Sequence, residues 1–347
     1  MINESPYEAS IAAENLFIPW AVAIGPENKI YVTERTGTVR IIENGNLLPE
    51  PLIRFSPLFL SNGEGGLMGL ALDPDFEQNR YLYVMHTYTQ NDATYNRVVR
   101  LTEDNNRATI DAVLLDQIPG GLVHNGGRIK FGPDNRLYIT TGDVGRAELA
   151  QDLSSLAGKI LRINPDGSIP EDNPFPGSPV YSYGHRNPQG ITWSTEGIMY
   201  ATEHGQTAHD EINLIVPGGN YGWPIARGYE EIEGMDIQLP IVQSDRITWA
   251  PSGIAYISQG PWQGRLLVST LRGEELLVVT LNPEGNAVER VDSVLRQEFG
   301  RLREVLQAED GSVYLTTSNR DGRGIYRIGD DKVIRLTLLE EGFTPVS

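Results

Sequence analysis

The chain has no cysteine, and this absence excludes three kinds of chemistry. Disulfide bonds, cysteine-ligated zinc and thiol catalysis all require that side chain. Long apolar runs are also missing, since none reaches the ~18 residues of a membrane-spanning helix. We therefore expect a soluble protein with no membrane insertion. The opening residues MINESPYEAS lack the basic region and apolar core of a signal peptide, so we expect none in this chain.

Basic residues are in the minority. The chain has 28 Lys and Arg against 46 Asp and Glu, which gives a formal net charge of −18. The acidic residues are scattered, and solubility alone is a sufficient explanation for most of them. Proteins that bind nucleic acid usually present a basic face, so we expect no nucleic-acid partner.

Common catalytic motifs are missing as well. The sequence has no Walker loop, no H-E-x-x-H, no nucleophile elbow and no EF-hand loop. The segment GEGGLMG at residues 63–69 lacks the G-x-G-x-x-G spacing and the strand-to-helix setting of a dinucleotide site. These common motifs therefore give no indication of the function.

A phrase of roughly a dozen residues is repeated six times along the chain. The copies begin at Ala21, Gly69, Gly127, Gly190, Ser252 and Glu304. Equivalent positions in the copies are 52, 55, 62, 67 and 47 residues apart, counted between Tyr31, Tyr83, Tyr138, Tyr200, Leu267 and Tyr314. That period is typical of one four-stranded sheet with its loops. We predict an all-β fold, a six-bladed β-propeller of four-stranded antiparallel sheets, with residues 1–347 forming a single domain.

Turn residues within the copies support this prediction. Pro-Asp-Asn, Pro-Glu-Asn and Glu-Asp-Gly separate the apolar runs and supply the backbone angles that hairpins need. The flanking runs, such as IYVTE and LYITT, are rich in β-branched and aromatic residues. The most helix-like stretch, residues 147–163, is short and is interrupted by Gly158. A β-sandwich array and a parallel α/β fold are the alternatives.

Three phrases contain four of the five histidines and indicate where the chemistry lies. They are VHNGGR at residues 123–128, YGHRNPQG at 183–190 and EHGQTAHDEIN at 203–213. The loops of a propeller surround a central channel, so we expect functional residues just after strands, on one face. On residue type alone, a turn or core position is the commoner role for a histidine such as His124.

These phrases, with residues 153–175, GGNYGWP at 218–224 and GRLREV at 300–305, closely resemble the soluble quinoprotein glucose/sorbosone dehydrogenase family. The resemblance runs from about residue 16 to 327 and is closest to the aldose sugar dehydrogenase branch. It implies a six-bladed propeller that binds pyrroloquinoline quinone (PQQ) and Ca²⁺ and oxidises the anomeric carbon of aldoses to lactones. It also implies that the enzyme passes electrons to an acceptor, which the sequence does not identify. The implied location is periplasmic or secreted, and the implied assembly is a monomer or homodimer.

The resemblance assigns roles to individual residues. The family's catalytic positions match His124, as general base, and Arg186. Its cofactor contacts match Glu64, His124, Arg186, Asn187, Tyr229, Arg272, Arg301 and Arg303. The backbone carbonyls that hold Ca²⁺ beside the cofactor match Gly205 and Gln206, and a further Ca²⁺ site matches Glu211 and Tyr221.

These residue types suit the implied chemistry. PQQ is a planar tricarboxylic o-quinone, and arginine binds carboxylates through paired hydrogen bonds without losing its charge. Ca²⁺ accepts oxygen ligands, backbone carbonyls included, and acts as a Lewis acid. A neutral imidazole can accept a proton near neutral pH. The commonplace alternatives are surface ion pairs for Arg301 and Arg303 and a solvated carboxylate for Glu211. We interpret His185, His204 and His209 as mainly structural.

Three positions depart from the family pattern. Gln206 replaces a proline, Val123 replaces an acidic residue that helps to hold the sugar, and Glu64 stands where glutamine is common. We therefore expect broad or altered aldose specificity. Two other functions stay open from the sequence, a cofactor-free binding or scaffolding propeller and a Ca²⁺-dependent propeller hydrolase such as a lactonase.

Overall fold

Each of the six repeats forms one antiparallel sheet in the computed structural model, which describes residues 5–56 and 58–339. The first strand in the chain is β1 (Tyr7–Ala13). Blade one contains β2 (Pro19–Ile24), β3 (Ile30–Glu34), β4 (Thr38–Glu43), β5 (Asn46–Leu47) and β6 (Ile53–Arg54). Blade two contains β7 (Leu67–Leu72), β8 (Tyr81–Gln90), β9 (Ala93–Asp104) and β10 (Arg107–Pro119). Blade three contains β11 (Ile129–Phe131), β12 (Leu137–Thr141), β13 (Lys159–Ile163) and β14 (Val180–Tyr183).

The second half of the chain continues the pattern. Blade four contains β15 (Pro188–Trp193), β16 (Met199–Glu203), β17 (Glu211–Ile215) and β18 (Val242–Gln243). Blade five contains β19 (Pro251–Tyr256), β20 (Arg265–Thr270), β21 (Leu276–Leu281) and β22 (Val288–Val294). Blade six contains β23 (Leu302–Gln307), β24 (Val313–Thr317) and β25 (Val333–Leu338), to which β1 adds the fourth strand. The predicted six-bladed β-propeller is confirmed.

Helix is a minor component in the described residues. One α-helical turn, α1, covers Phe76–Asn79, and two short 3₁₀ turns cover Pro26–Asn28 and Ala147–Ala150. The helix-like stretch from residue 147 thus supplies a single 3₁₀ turn before its remainder enters β13. No helix in the described part of the chain is both long and apolar enough to cross a membrane.

The turns have the chemistry that the sequence predicts. Between β11 and β12, Asn135 adopts a left-handed backbone with φ of 57°. Its N–H donates to the Gly132 carbonyl at 3.0 Å, and the Asp134 carboxylate accepts the Arg136 N–H at 3.1 Å. The strand that follows, β12, is buried along its whole length. Local turn geometry and apolar burial therefore act together to define each hairpin.

The innermost strands of the blades form a closed ring around the axis. The strands in contact around the ring are, in order, β2, β7, β11, β15, β19 and β23, and β23 returns to β2. Glycines at the start of two repeats permit the close approach of neighbouring inner strands. A Cβ on Gly69 would lie 2.3 Å from the Gly127 carbonyl oxygen, and one on Gly190 would lie 2.2 Å from the Ser252 carbonyl oxygen. Any larger side chain there would push the blades apart.

The ring is closed by strands from both ends of the chain. β1 pairs with β25 in antiparallel register, with Tyr7 opposite Leu338. Tyr7 is buried, and its ring centroid lies 4.6 Å from that of Trp262 in blade five. An N-terminal strand therefore completes the sheet of blade six.

One face of the propeller is suited to carry a site. In every blade, the first strand begins and the second strand ends on the same face, because the two strands are antiparallel. Loops from all six blades therefore meet around the axis at that face.

We predict that Tyr7→Ala destabilises the protein by about 3 kcal/mol, because it removes a buried aromatic ring from the closing strand. Ile11→Ala on the same strand is the control, since Ile11 is 46% exposed. Its free energy of unfolding should change by less than about 0.5 kcal/mol. Chemical denaturation measures both values, and equal effects would show that the Tyr7 side chain does not stabilise the closure.

Candidate functional site

Two adjoining cavities open among these loops. The central cavity, of about 200 Å³, is lined by residues of blades one, four, five and six and by the connections that lead into blades two and three. Its lining is Trp20, Arg35, Gly63, Glu64, Asn125, Gly126, Gln189, His204, Leu271, Arg303, Asp321, Gly322 and Arg323. The side cavity, of about 190 Å³, is lined by Arg186, Glu203, His204, Gly205, Gln206, Thr207, His209, Glu211, Tyr221, Trp223, Ala226 and Arg227. His204 belongs to both linings and separates the two spaces.

The floor of the central cavity is a buried polar network. Arg128, which precedes β11, pairs with Glu304 of β23 and donates from Nε to the Gln189 carbonyl at 2.9 Å. The Trp20 ring lies 4.3 Å from the Arg128 guanidinium and 5.4 Å from that of Arg303. The inner strands of four blades are therefore tied together directly beneath the cavity.

Arginine is the main cation of the central cavity. Arg303 is buried and contacts the Ser318 hydroxyl at 3.3 Å and the Gln189 amide oxygen at 3.4 Å. Burial lowers the pKa of Arg303 to about 9, so the side chain stays charged at neutral pH. Burial lowers the pKa of Arg35 as well, and its Nε has no hydrogen-bond partner among the described residues. These two side chains have donors to spare for an anion.

Arg301 has a different position from Arg303. It is outside the lining of the central cavity and donates to the Asp321 carboxylate at 2.9 and 3.0 Å and to the Leu271 carbonyl at 3.1 Å. Burial alone would raise the pKa of Asp321, but Arg301 and Arg303 outweigh it and hold that pKa below its usual range. Arg301 thus orients an ionised carboxylate at the cavity wall.

His124 is in neither lining, but the next two residues, Asn125 and Gly126, line the central cavity. Its Nδ1 is 2.6 Å from Asp143 Oδ1, and its backbone N–H donates to Glu64 Oε2 at 2.8 Å. The other Asp143 oxygen accepts the Trp223 indole N–H at 2.8 Å. Burial alone would raise the pKa of Asp143, but hydrogen bonds led by that from His124 hold it below its usual range. Since an ionised carboxylate only accepts, Nδ1 carries the proton in the neutral form of His124, and in that form Nε2 is the acceptor.

Arg186 and Asn187 lie between β14 and β15. Arg186 lines the side cavity, contacts the His204 carbonyl at 3.3 Å and lies 5.4 Å from the Trp223 ring centroid. Burial lowers its pKa, and its Nε has no partner in the described part of the chain. Asn187 is fully buried and accepts the Gly126 N–H at 3.0 Å, which holds the loop that carries His124.

The four predicted metal ligands all line the side cavity. No donor from residues 5–56 or 58–339 reaches the carbonyl oxygens of Gly205 and Gln206. Burial, together with the nearby Glu203 carboxylate, raises the pKa of Glu211 to about 8. The Tyr221 hydroxyl already has partners, since it donates to the Leu214 carbonyl at 2.7 Å and accepts the Val216 N–H at 3.0 Å.

Five of the predicted cofactor residues are in neither lining, namely His124, Asn187, Arg301, Arg272 and Tyr229, and the last two are also exposed. Arg272 is exposed, and among the described residues only its backbone N–H makes a hydrogen bond, to the Trp249 carbonyl at 3.0 Å. Tyr229 is 52% exposed, and burial of its hydroxyl raises its pKa. Their contribution to a site is therefore not supported by this arrangement of side chains.

The other histidines have defined partners. His185 is buried between Glu203 and Ser182, both at 2.8 Å, and His209 contacts the Gln243 amide at 3.0 Å. His204 donates from Nε2 to the Pro251 carbonyl at 2.8 Å, yet it also lines both cavities. Of the three histidines interpreted as mainly structural, His185 fits that role best.

Several site residues were not predicted from the sequence. They are Trp20, Arg35, Asp143, Gln189, Trp223, Asp321 and Arg323. A signal was available for some of them. Arg35 and Asp143 come just after the second strand of their blades, and Asp321 and Arg323 lie in the corresponding loop of blade six. Aligning the loop after each repeat would have found these positions.

The fold and the cavity define a class of protein, a six-bladed propeller with an arginine-lined site on its axis. Residues 16–327 match the family model described as Glucose / Sorbosone dehydrogenase. The chain belongs to this family, the soluble quinoprotein glucose/sorbosone dehydrogenases. The resemblance seen in the sequence is confirmed.

Individual relatives agree with this assignment. The aldose sugar dehydrogenase YliI of Escherichia coli is 31% identical over 90% of this chain and 90% of its own. The PQQ-bound aldose sugar dehydrogenase of Streptomyces coelicolor is 38% identical, with a TM-score of 0.86 over 95% of this chain and 98% of that one. A candidate glucose dehydrogenase from a Thermus species is 42% identical, with a TM-score of 0.89 over 95% of this chain and 100% of that one.

We predict that Glu304→Gln destabilises the protein by about 3 kcal/mol, because it leaves the buried Arg128 charge without its counter-ion. Glu148→Gln is the matched control, since the Arg146–Glu148 pair is exposed on both sides. Chemical denaturation should show a change below about 0.5 kcal/mol for that control. A Glu304→Gln protein as stable as wild type would mean that the pair does not support the cavity floor.

Proposed function

We propose that the protein is a PQQ- and Ca²⁺-dependent aldose dehydrogenase that oxidises the anomeric carbon of its sugar to a lactone. The observation that carries this proposal is the contact of His124 Nδ1 with Asp143 beside an arginine-lined cavity, whose lining includes Asn125 and Gly126, the two residues that follow His124. Family membership supports the same activity. A location in the periplasm or outside the cell is part of this proposal.

The central cavity suits an anionic, planar cofactor. Arg303 and Arg35 face it, and the buried Nε atom of Arg35 has no partner among the described residues. A buried donor without a partner is costly, and cofactor carboxylates would satisfy it. Trp20 supplies a flat aromatic wall. When bound, PQQ supplies the quinone that accepts the hydride.

The side cavity suits a Ca²⁺ ion held by oxygen ligands. The carbonyls of Gly205 and Gln206 are free, and hard oxygens of this kind are what Ca²⁺ prefers. In the described residues there is no cluster of three or more His, Asp or Glu that could hold a metal by side chains. Glu211 and the main-chain carbonyl of Tyr221 would serve a further ion, because the Tyr221 hydroxyl is engaged.

The residues of the chain divide the remaining work. His124 Nε2 accepts the proton of the anomeric hydroxyl, and Asp143 stabilises the resulting imidazolium. Trp223 and Gly145 hold the Asp143 carboxylate at 2.8 Å each, which keeps the imidazole oriented. Glu64 and its ion-pair partner Arg323, 2.7 Å apart, stand at the cavity mouth, where they would contact sugar hydroxyls. Glu64 stands where glutamine is common in the family, and its pairing with Arg323 favours altered aldose specificity.

We predict that Arg303→Ala weakens PQQ binding by ~2 kcal/mol or more, the scale for losing a buried charged donor. Arg301→Ala should weaken it less, because Arg301 acts through Asp321 and not from the lining. Arg272→Ala is the control and should leave the affinity unchanged, since that side chain is exposed. Calorimetric titration of PQQ in the presence of Ca²⁺ measures all three, and equal losses in every variant would refute the placement.

We predict that His124→Ala lowers turnover by ~10²-fold or more with any active aldose, the usual contribution of a positioned base. The loss should appear in kcat and kcat/KM together, while PQQ affinity is retained. Wild-type activity should fall as pH decreases, because imidazolium cannot accept the proton. Dye-coupled assays over a range of pH measure these quantities.

Asp143→Asn separates positioning from catalysis. The imidazolium loses its counter-charge, so the acid limb of the pH profile should move to lower pH while kcat falls.

Unchanged turnover in the His124→Ala variant would show that His124 is not the catalytic base. Absence of dye reduction by wild type with PQQ, Ca²⁺ and an aldose panel would favour the cofactor-free binding propeller.

A further inference from the structure

An exposed patch borders the mouth of the central cavity. It lies on the loop between β24 and β25, whose residues Asp321, Gly322 and Arg323 line that cavity. We call it the rim patch, and it comprises Phe17, Arg320, Ile325, Tyr326, Arg327 and Ile328. Ile325 and Ile328 are 79% and 93% exposed, the two most exposed large apolar side chains of the described residues.

Side-chain and backbone contacts hold the rim patch in a defined conformation. The Arg320 guanidinium lies 4.1 Å from the Phe17 ring centroid and 5.4 Å from that of Tyr326, so it is layered between two aromatic rings. The buried Asp330 carboxylate accepts the Arg327 N–H at 2.7 Å, and Lys332 Nζ donates to the Ile328 carbonyl at 3.0 Å. These contacts hold the loop in one shape, which reduces the ordering cost of binding.

The charge of this loop is opposite to that of the protein. Its three acids, Asp321, Asp330 and Asp331, are buried and hydrogen-bonded. Among its cations, Arg323 has a side chain that is 61% exposed and pairs with Glu64, while the rim patch itself contains Arg320 and Arg327 and no acidic residue. Two exposed acids are neighbours of the loop: Glu14, next to Gly329, and Glu298, whose carbonyl accepts an Arg327 N–H. A basic and apolar face therefore stands out on a chain of net charge −18.

We propose that the rim patch docks a small one-electron carrier protein that has an acidic face. This inference depends on the proposed function, because the enzyme must pass on the electrons that it takes from sugar. Oxidation of one aldose to its lactone breaks the C1–H and O1–H bonds and releases two electrons and two protons. Two carrier molecules take one electron each in succession, and the two protons pass to solvent.

The size and composition of the patch fit such a partner. Electron-transfer encounters use small interfaces, and Tyr and Arg are enriched in interface cores. A basic patch steers an acidic carrier into contact beside the cavity. An anionic membrane is a poorer fit, because polybasic membrane-binding segments carry about four to eight Lys or Arg, and the net charge of this chain is repelled by such a surface.

The experiment uses the full chain with PQQ, Ca²⁺ and an active aldose. Plant plastocyanin, an acidic copper protein, and cytochrome c, a basic haem protein, serve as one-electron acceptors of opposite charge. We expect wild type to reduce plastocyanin faster than cytochrome c at low ionic strength, and the plastocyanin rate to fall as salt is added. The double variant Ile325→Glu/Ile328→Glu should lower kcat/KM for plastocyanin by ~10-fold or more.

Two controls isolate the docking step. Reduction of a small neutral dye should be unchanged in the double variant, because neither isoleucine lines a cavity. Ile110→Glu places the same charge on β10, where Ile110 is 47% exposed, and should leave the plastocyanin rate unchanged.

Other results would overturn the proposal. They are a plastocyanin rate equal in wild type and the double variant, a faster reaction with cytochrome c, sedimentation of wild type but not the variant with phosphatidylserine vesicles, and a dimer that the substitutions dissociate. No dye reduction by wild type would instead contradict the proposed function itself.

Discussion

Contact between the innermost strands of neighbouring blades is the interaction on which the rest of the structure depends. Six such contacts close the ring, and glycine at Gly69 and Gly190 permits backbone atoms of adjacent blades to touch. The buried pair of Arg128 and Glu304 joins two of these strands across the axis, beneath Trp20. Because the ring is tight, loops from six distant parts of the chain meet in one small space.

The electrostatics of that space oppose those of the whole chain. The protein has a net charge of −18, yet Arg35, Arg303 and Arg323 face the central cavity. The acids beside them are engaged, since Asp321 binds Arg301 and Glu64 binds both Arg323 and the His124 backbone. The central cavity therefore has more arginines than acidic partners, and this excess of positive charge favours an anionic ligand. The basic rim patch extends the same sign of charge to the surface.

The predicted site residues are of three kinds in the structure. Side chains of the repeat phrases converge, as His124 with Asp143 and Arg186 with His204 show. Arg301 is close to the cavity but acts through Asp321. Arg272 and Tyr229 are exposed and lie outside both linings. A position after a strand brings a residue to the correct face, but the direction of its side chain depends on neighbouring blades.

The sequence by itself determined the six blades, their antiparallel sheets and the family, because turn residues, β-rich runs and a repeat of 47 to 67 residues are local features. It also identified the loop that carries His124 and the strand that carries Arg303. Only the tertiary structure decided that Asp143 orients His124, that Arg35 joins Arg303 at the axis and that Glu64 pairs with Arg323. Glu64 and Arg323 are 259 residues apart, and such pairs are made by ring closure, which no local pattern records.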